Sequence, residues 1–219
     1  MNINKHLILL FSVLFFLFAV SVSSGCFRKN ESDVKSVVRN ELDQLKNLDS
    51  ETTQKYIPYT ELFPDATENT DLTDEINETF SLFFRKFNYK ISDVIVGTAN
   101  HSATVSVKLT TIDSKVLARD FKAELLRTQI TESAQAQKGN IKDSSRSLEA
   151  HYLILNHLLN TNDYDTAETD CNIQLVNTGN DKKEKWKIQR TNSLEDDLVG
   201  GLIADLADPD ILSPEDTLT

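Results

Sequence analysis

Six glycines among 219 residues leave little room for the glycine-rich loop that cradles phosphate in nucleotide-binding folds, and no such loop is present. Histidine is as sparse. His6 belongs to the opening segment and His101 to a turn, and His151 and His157 are six residues apart, off one helical face; none forms an H-E-x-x-H or similar ligand pair. Positive charge is also short, with 23 Lys and Arg against 34 Asp and Glu for a net charge of −11. That balance argues against nucleic acid, which rewards clustered Lys and Arg. Eight acidic residues and no basic one follow Arg190, and nine acids between Asp49 and Glu78 face a single Lys55. Neither stretch has the D-x-D-x-D-G spacing of a dedicated calcium loop, so both read as solvated surface, with weak, loose calcium association as the alternative. No cofactor and no metal is implied.

What is present at the start is an address. Met1–His6 is short and polar, with Lys5 as its fixed positive charge, and no acid appears before Glu31. Leu7–Val22 is apolar except for Ser12 and Ser21. A spanning helix needs about 20 apolar residues, so this run has the length of a signal-peptide core. Ser23-Ser24-Gly25 then lead into Cys26. The segment resembles the lipobox of bacterial lipoproteins, with Ser23 where Leu is usual. That resemblance implies cleavage between Gly25 and Cys26, a diacylglycerol on the Cys26 thiol, and a domain held on the outer face of the cytoplasmic membrane. An ordinary secretory signal and an uncleaved signal-anchor are the alternatives. The triplets at Asn30, Asn77 and Asn100 match the N-glycosylation pattern, as chance allows in a chain rich in Asn and Thr.

Removing residues 1–25 takes away one Lys and no acid, so the net charge moves from −11 to −12. An acylated Cys26 leaves Cys171 without a partner and the domain without a disulfide. Asp170 and Glu168 beside Cys171 disfavour a thiolate there, so it reads as a small core hydrophobe rather than a nucleophile.

Residues 26–30 read as the lipidated cysteine and a spacer, 31–208 as one domain, and 209–219 as a disordered acidic tail. Val34, Val37, Val38, Leu42, Leu45 and Leu48 make a helical stripe, capped by Asn30 or Ser32. Asp49–Asn69 is irregular and interrupted by Pro58 and Pro64. Leu72, Ile76, Phe80, Phe83, Phe84 and Phe87 fall at steps of three and four, one apolar face of a helix over 71–87. The period then becomes two. Tyr89, Ile91, Val94 and Val96 form a strand whose phase slips at Ser92-Asp93, and Ala103, Val105, Val107 and Leu109 alternate with polar residues in its hairpin partner. A long helix follows from Asp113 or Ser114 with Leu117, Phe121, Leu125 and Leu126 inward; Gly139-Asn140 breaks it, and Leu148, Tyr152, Leu155 and Leu159 resume the spacing. A second hairpin carries Thr169, Cys171, Ile173 and Leu175, a turn over 177–182, then Trp186 and Ile188. Ser193 starts a last helix through Leu194, Leu198, Ile203 and Leu206, which Pro209 ends.

This order makes the fold class α+β, a curved antiparallel sheet of about four strands packed on helices. The stretch from Leu82 through Asp113, with F-F-R-K-F-N-Y-K-I-S-D-V-I-V-G and S-A-T-V-S-V-K-L-T-T-I-D, resembles a group of small lipoproteins of Gram-positive bacteria, and K-W-K-I at 185–188 fits the same pattern. Their mature domains are related to the nuclear-transport-factor-2-like, cystatin-like superfamily, which implies a curved sheet wrapped on helices as a cone. The stretch around Gln129–Leu159 is longer than compact members need.

Two functional classes follow. The first is a tethered binding or accessory module that catalyses nothing. The second is a cone-fold isomerase or dehydratase, for which Asp93 or Asp170 with Tyr89 or Tyr152 are the candidates by residue type. One local concentration of charge stands out. Lys182, Lys183, Lys185, Lys187 and Arg190 gather on the last hairpin of an acidic protein. They read either as the wet face of a half-buried strand or as a contact for an anionic envelope polymer or a protein partner.

Overall fold

A computed structural model describes residues 30–57, 62, 63, 66, 72–97, 101–136, 146–179 and 184–212. The proposed signal peptide, its Gly25–Cys26 cleavage site, the break at Gly139-Asn140, Lys182, Lys183 and residues 213–219 lie outside these. The first helix, α1, spans residues 30–46 and buries Val34, Val38, Leu42 and Leu45. It starts one residue inside the expected spacer, with Asn30 itself buried and Ser32 exposed within the first turns. It stops before Leu48, which adopts a positive φ of 62° and is exposed.

Two short polar stretches depart from the sequence reading. Ser50–Tyr56 forms helix α2, capped by the Asp49 carboxylate, which accepts from the Thr52 amide at 2.9 Å. Its sequence has no apolar period, so the cap and the burial of Tyr56 and Ile57 hold it rather than a stripe. At the other end, the single helix expected after Ser193 is two: α6, Asn192–Leu198, and α7, Leu202–Ala207. Thr191, not Ser193, caps α6 by accepting from the Leu194 amide. Gly200 and Gly201 take φ of 65° and 90°, a left-handed pair that ends α6 and restarts the chain as α7. Pro209–Leu212, read as the start of the tail, forms a 3₁₀ turn.

The remaining elements follow the sequence pattern. Helix α3 is Thr73–Phe84, with Ile76, Phe80, Phe83 and Phe84 buried and Phe87 buried just beyond it. Strands β1, Asn88–Val96, and β2, Ser102–Ile112, form the first hairpin, and β1 shows two successive exposed residues at Ser92-Asp93 where the phase slips. Helix α4, Ser114–Ala136, buries Leu117, Ala118 and Phe121. Leu126 is 49 % exposed rather than inward, because only the first two turns of α4 are covered. Helix α5 is Leu148–Thr161, and strands β3, Thr166–Asn177, and β4, Trp186–Ile188, complete an open antiparallel sheet in the order β1-β2-β3-β4. The observed class is α+β, a curved four-stranded antiparallel sheet on helices.

By compactness the chain falls into two units, and the strand ends do not coincide with the unit ends. One unit holds described residues 30–39, 93–105 and 173–189; in it Leu175 pairs with Ile188 and Asn177 with Trp186, and the Asn177 amide donates to the His101 carbonyl at 2.9 Å. The other holds residues 40–92, 106–172 and 190–212. Its helices pack α3 on α5 and α4 on α5 and α7. Phe63 stacks on Phe121 at 5.1 Å and meets Tyr152 edge-on at 5.3 Å, a core of aromatic contacts.

Candidate functional site

Three groups of side chains bear on function, each positioned by local alternation or capping. The first is the last hairpin. Trp186 turns inward at 6 % exposure while Lys185 and Lys187 point to water, the period of a half-buried strand. Neither lysine makes an ion pair among the described residues. The indole nitrogen donates to the Glu184 carboxylate at 3.2 Å, so one acid of the turn serves the tryptophan. Arg190 is committed elsewhere: its Nε donates to the carboxylate of Glu195 on α6. Glu195 is 3 % exposed, and a buried carboxylate without that guanidinium would be costly. The expected cluster therefore separates into two exposed lysines, one arginine engaged in an ion pair, and Lys182 and Lys183 beyond the described residues.

The second group surrounds Cys171. The thiol is buried on the inner face of β3 and is free. Burial, the negative charge of Asp197 and a hydrogen bond to that carboxylate push the thiol pKa well up. Asp197 is itself raised, first by burial and then by the charge of Asp196, while the Cys171 hydrogen bond opposes the rise. The direction agrees with the sequence reading but the causes differ: burial comes first, and the charge that adds to it is that of Asp197, which arrives from α6 far along the chain, rather than that of Asp170 or Glu168. A protonated, buried thiol facing a carboxylate is a poor nucleophile.

The third group is the set of candidate acid–base residues. Asp93 on β1 and Asp170 on β3 are exposed on their strands. The Tyr89 hydroxyl donates to the Asp43 carboxylate at 2.6 Å, which ties β1 to α1. Tyr152 is fully buried in the aromatic core. Asp170 and its neighbour Glu168 lie on the wet face of β3, where Glu168 accepts from Lys108 at 3.0 Å and Lys108 is raised in pKa by that contact. Among the described residues no three His, Cys, Asp or Glu side chains gather to hold a metal ion, and no helix is long and apolar enough to cross a membrane.

No protein-family model, curated protein or solved structure matches the chain. Its chemistry is therefore read from its own residues. Sequence reasoning missed Glu195 and Asp197, the two carboxylates that bind Arg190 and Cys171. Both belong to the run E-D-D at 195–197, within a stretch whose composition reads as solvated acid.

Proposed function

We propose that the chain is a lipid-anchored extracytoplasmic module, acylated on Cys26 and held at the outer face of the cytoplasmic membrane, that binds an envelope component rather than catalysing a reaction. The observation that carries the reading is the Leu7–Val22 apolar run ending in Ser-Ser-Gly-Cys at 23–26. Small residues before a cysteine admit a peptidase, and two acyl chains bury enough methylene, at about 0.8 kcal/mol each, to hold a folded domain on a bilayer without a spanning helix. The sequence resemblance of the stretch from Leu82 through Asp113 to small lipoproteins of Gram-positive bacteria supports the same reading, and the α+β class is compatible with it. Engagement of the Tyr89 hydroxyl with Asp43 and burial of Tyr152 in the aromatic core favour a binding module over the isomerase alternative.

Expression of wild type and Cys26→Ala in cells fed a tagged fatty acid tests the anchor. Wild type should take up label and fractionate with membranes, and Cys26→Ala should take up none. Label on Cys26→Ala, or its absence from wild type, would refute the reading. The enzyme alternative predicts that Asp93→Asn abolishes a proton-abstraction activity without loss of stability.

A further inference from the structure

The unit holding residues 30–39, 93–105 and 173–189 brings together the first ten described residues of α1 and the ends of both hairpins, the latter joined by the Asn177–His101 hydrogen bond. It is also where the protein is least acidic. Its described residues carry Lys35, Arg39, Lys185 and Lys187 against Glu31, Asp33, Asp93 and Glu184, a balance of zero. The other unit's described residues hold 12 basic and 22 acidic side chains, a balance of −10. The anchor enters on the neutral unit. Phe27-Arg28-Lys29 joins Cys26 to the start of α1, and four Cα steps keep residue 30 within about 14 Å of the anchored cysteine.

We propose that this unit docks on the bilayer that holds the lipid, with Lys185 and Lys187 against anionic phospholipid headgroups. The inference rests on acylation of Cys26 and adds to it a surface and a partner. A freely diffusing domain with net charge −12 is repelled by an anionic surface, but surface attraction acts within a Debye length of about 8–10 Å and reads local charge. The short tether keeps residue 30 within about 14 Å of the anchored cysteine and so raises the effective concentration of its unit at the headgroups. Two exposed lysines without ion pairs among the described residues then face the interface, whereas the acidic unit has nothing to gain there. A wall polymer would satisfy the same lysines, but the tether gives it no such proximity.

The test uses full-length protein acylated in cells, carrying a donor dye at His101→Cys; Cys171 is buried at 2 % exposure and Cys26 is blocked by its lipid. Reconstituted into phosphatidylcholine vesicles with a headgroup acceptor dye, it should show higher energy transfer when phosphatidylglycerol is included. High salt, or Lys185→Ser with Lys187→Ser, should return transfer to the phosphatidylcholine level, a change of roughly thirtyfold in the docked-to-undocked ratio for the two lysines. Equal transfer in both vesicles, or a composition effect that survives the double substitution, overturns the proposal while leaving the anchor intact. Salt-sensitive retention of the protein on isolated wall polymer, lost in the double variant and accompanied by composition-independent transfer, assigns the lysines to the polymer and also overturns it. Protein that carries no acyl chain and floats with neither vesicle overturns the anchor itself, and the docking with it.

Discussion

Trp186 lies between two lysines in sequence, and the strand period separates their fates: the indole packs inside and both ammonium groups stay in water. Truncation to alanine removes a large core side chain, so Trp186→Ala should cost about 3–5 kcal/mol in chemical denaturation. Native emission should lie to the blue of a hydrated indole; emission at the hydrated position would misplace the residue. Cys171 gives a second residue-scale expectation, through its titration. Its folded pKa is raised from the ordinary 9.0, so the unfolded thiol ionises first as the pH climbs. The unfolded chain then binds fewer protons than the native one, and stability that is complete below pH 9 falls as pH rises above it. Tyr56 and Tyr164, raised from 10.0 chiefly by burial, the latter to about 12, extend the same loss upward. Cys171→Ala should therefore flatten the pH dependence of urea midpoints just above pH 9 while leaving the higher limb. An unchanged slope there would show that the thiol does not carry it. Melting should also be the same with and without reductant, since Cys171 is a free, buried thiol and the proposed lipid on Cys26 occupies the other cysteine.

Between α6 and α7 the chain turns on two left-handed glycines that differ in their surroundings. A Cβ at Gly200 would meet the Thr111 hydroxyl at 2.2 Å, while one at Gly201 finds nothing closer than 3.7 Å. Backbone strain alone costs about 1–2 kcal/mol for a non-glycine residue in this region. Gly201→Ala should lose about that much and Gly200→Ala clearly more, measured by thermal or urea unfolding; equal losses would contradict the close approach to β2. The Arg190–Glu195 pair fixes the start of α6, and Arg190→Ala leaves a buried carboxylate unpaired. Because the arginine side chain is 45 % exposed, the expected loss is at the low end for a broken buried pair, about 3 kcal/mol, with partial recovery in Arg190→Ala combined with Glu195→Gln. These elements mark the limit of what was legible in the chain. The phenylalanine stripe of α3 and the alternation of β2 were readable because burial follows a period there. Helix α2 was not, since S-E-T-T-Q-K-Y has a cap but no stripe, and the α6–α7 break was hidden because glycines 200 and 201 sit amid apolar residues that continue the helical spacing. Of the candidate site, Lys185 and Lys187 were legible as exposed strand positions. The commitment of Arg190 to Glu195 and of Cys171 to Asp197 was not, because each depends on how α6 folds back.

For the molecule as a whole, a net charge of −12 after removal of residues 1–25 favours solubility and disfavours nucleic acid, but it does not describe every surface. The unit that begins with α1 is neutral among its described residues and holds Lys185 and Lys187, so the proposed anchor joins the less acidic of the two units. The proposed lipid on Cys26 would hold the domain at a membrane without a transmembrane helix. The most direct measurement is the mass of the N-terminal peptide of the protein extracted from membranes. The account predicts a chain that begins at Cys26 and carries a diacylglycerol on that thiol. A peptide that still contains residues 1–25, or one that begins at Cys26 with an unmodified thiol, would contradict it.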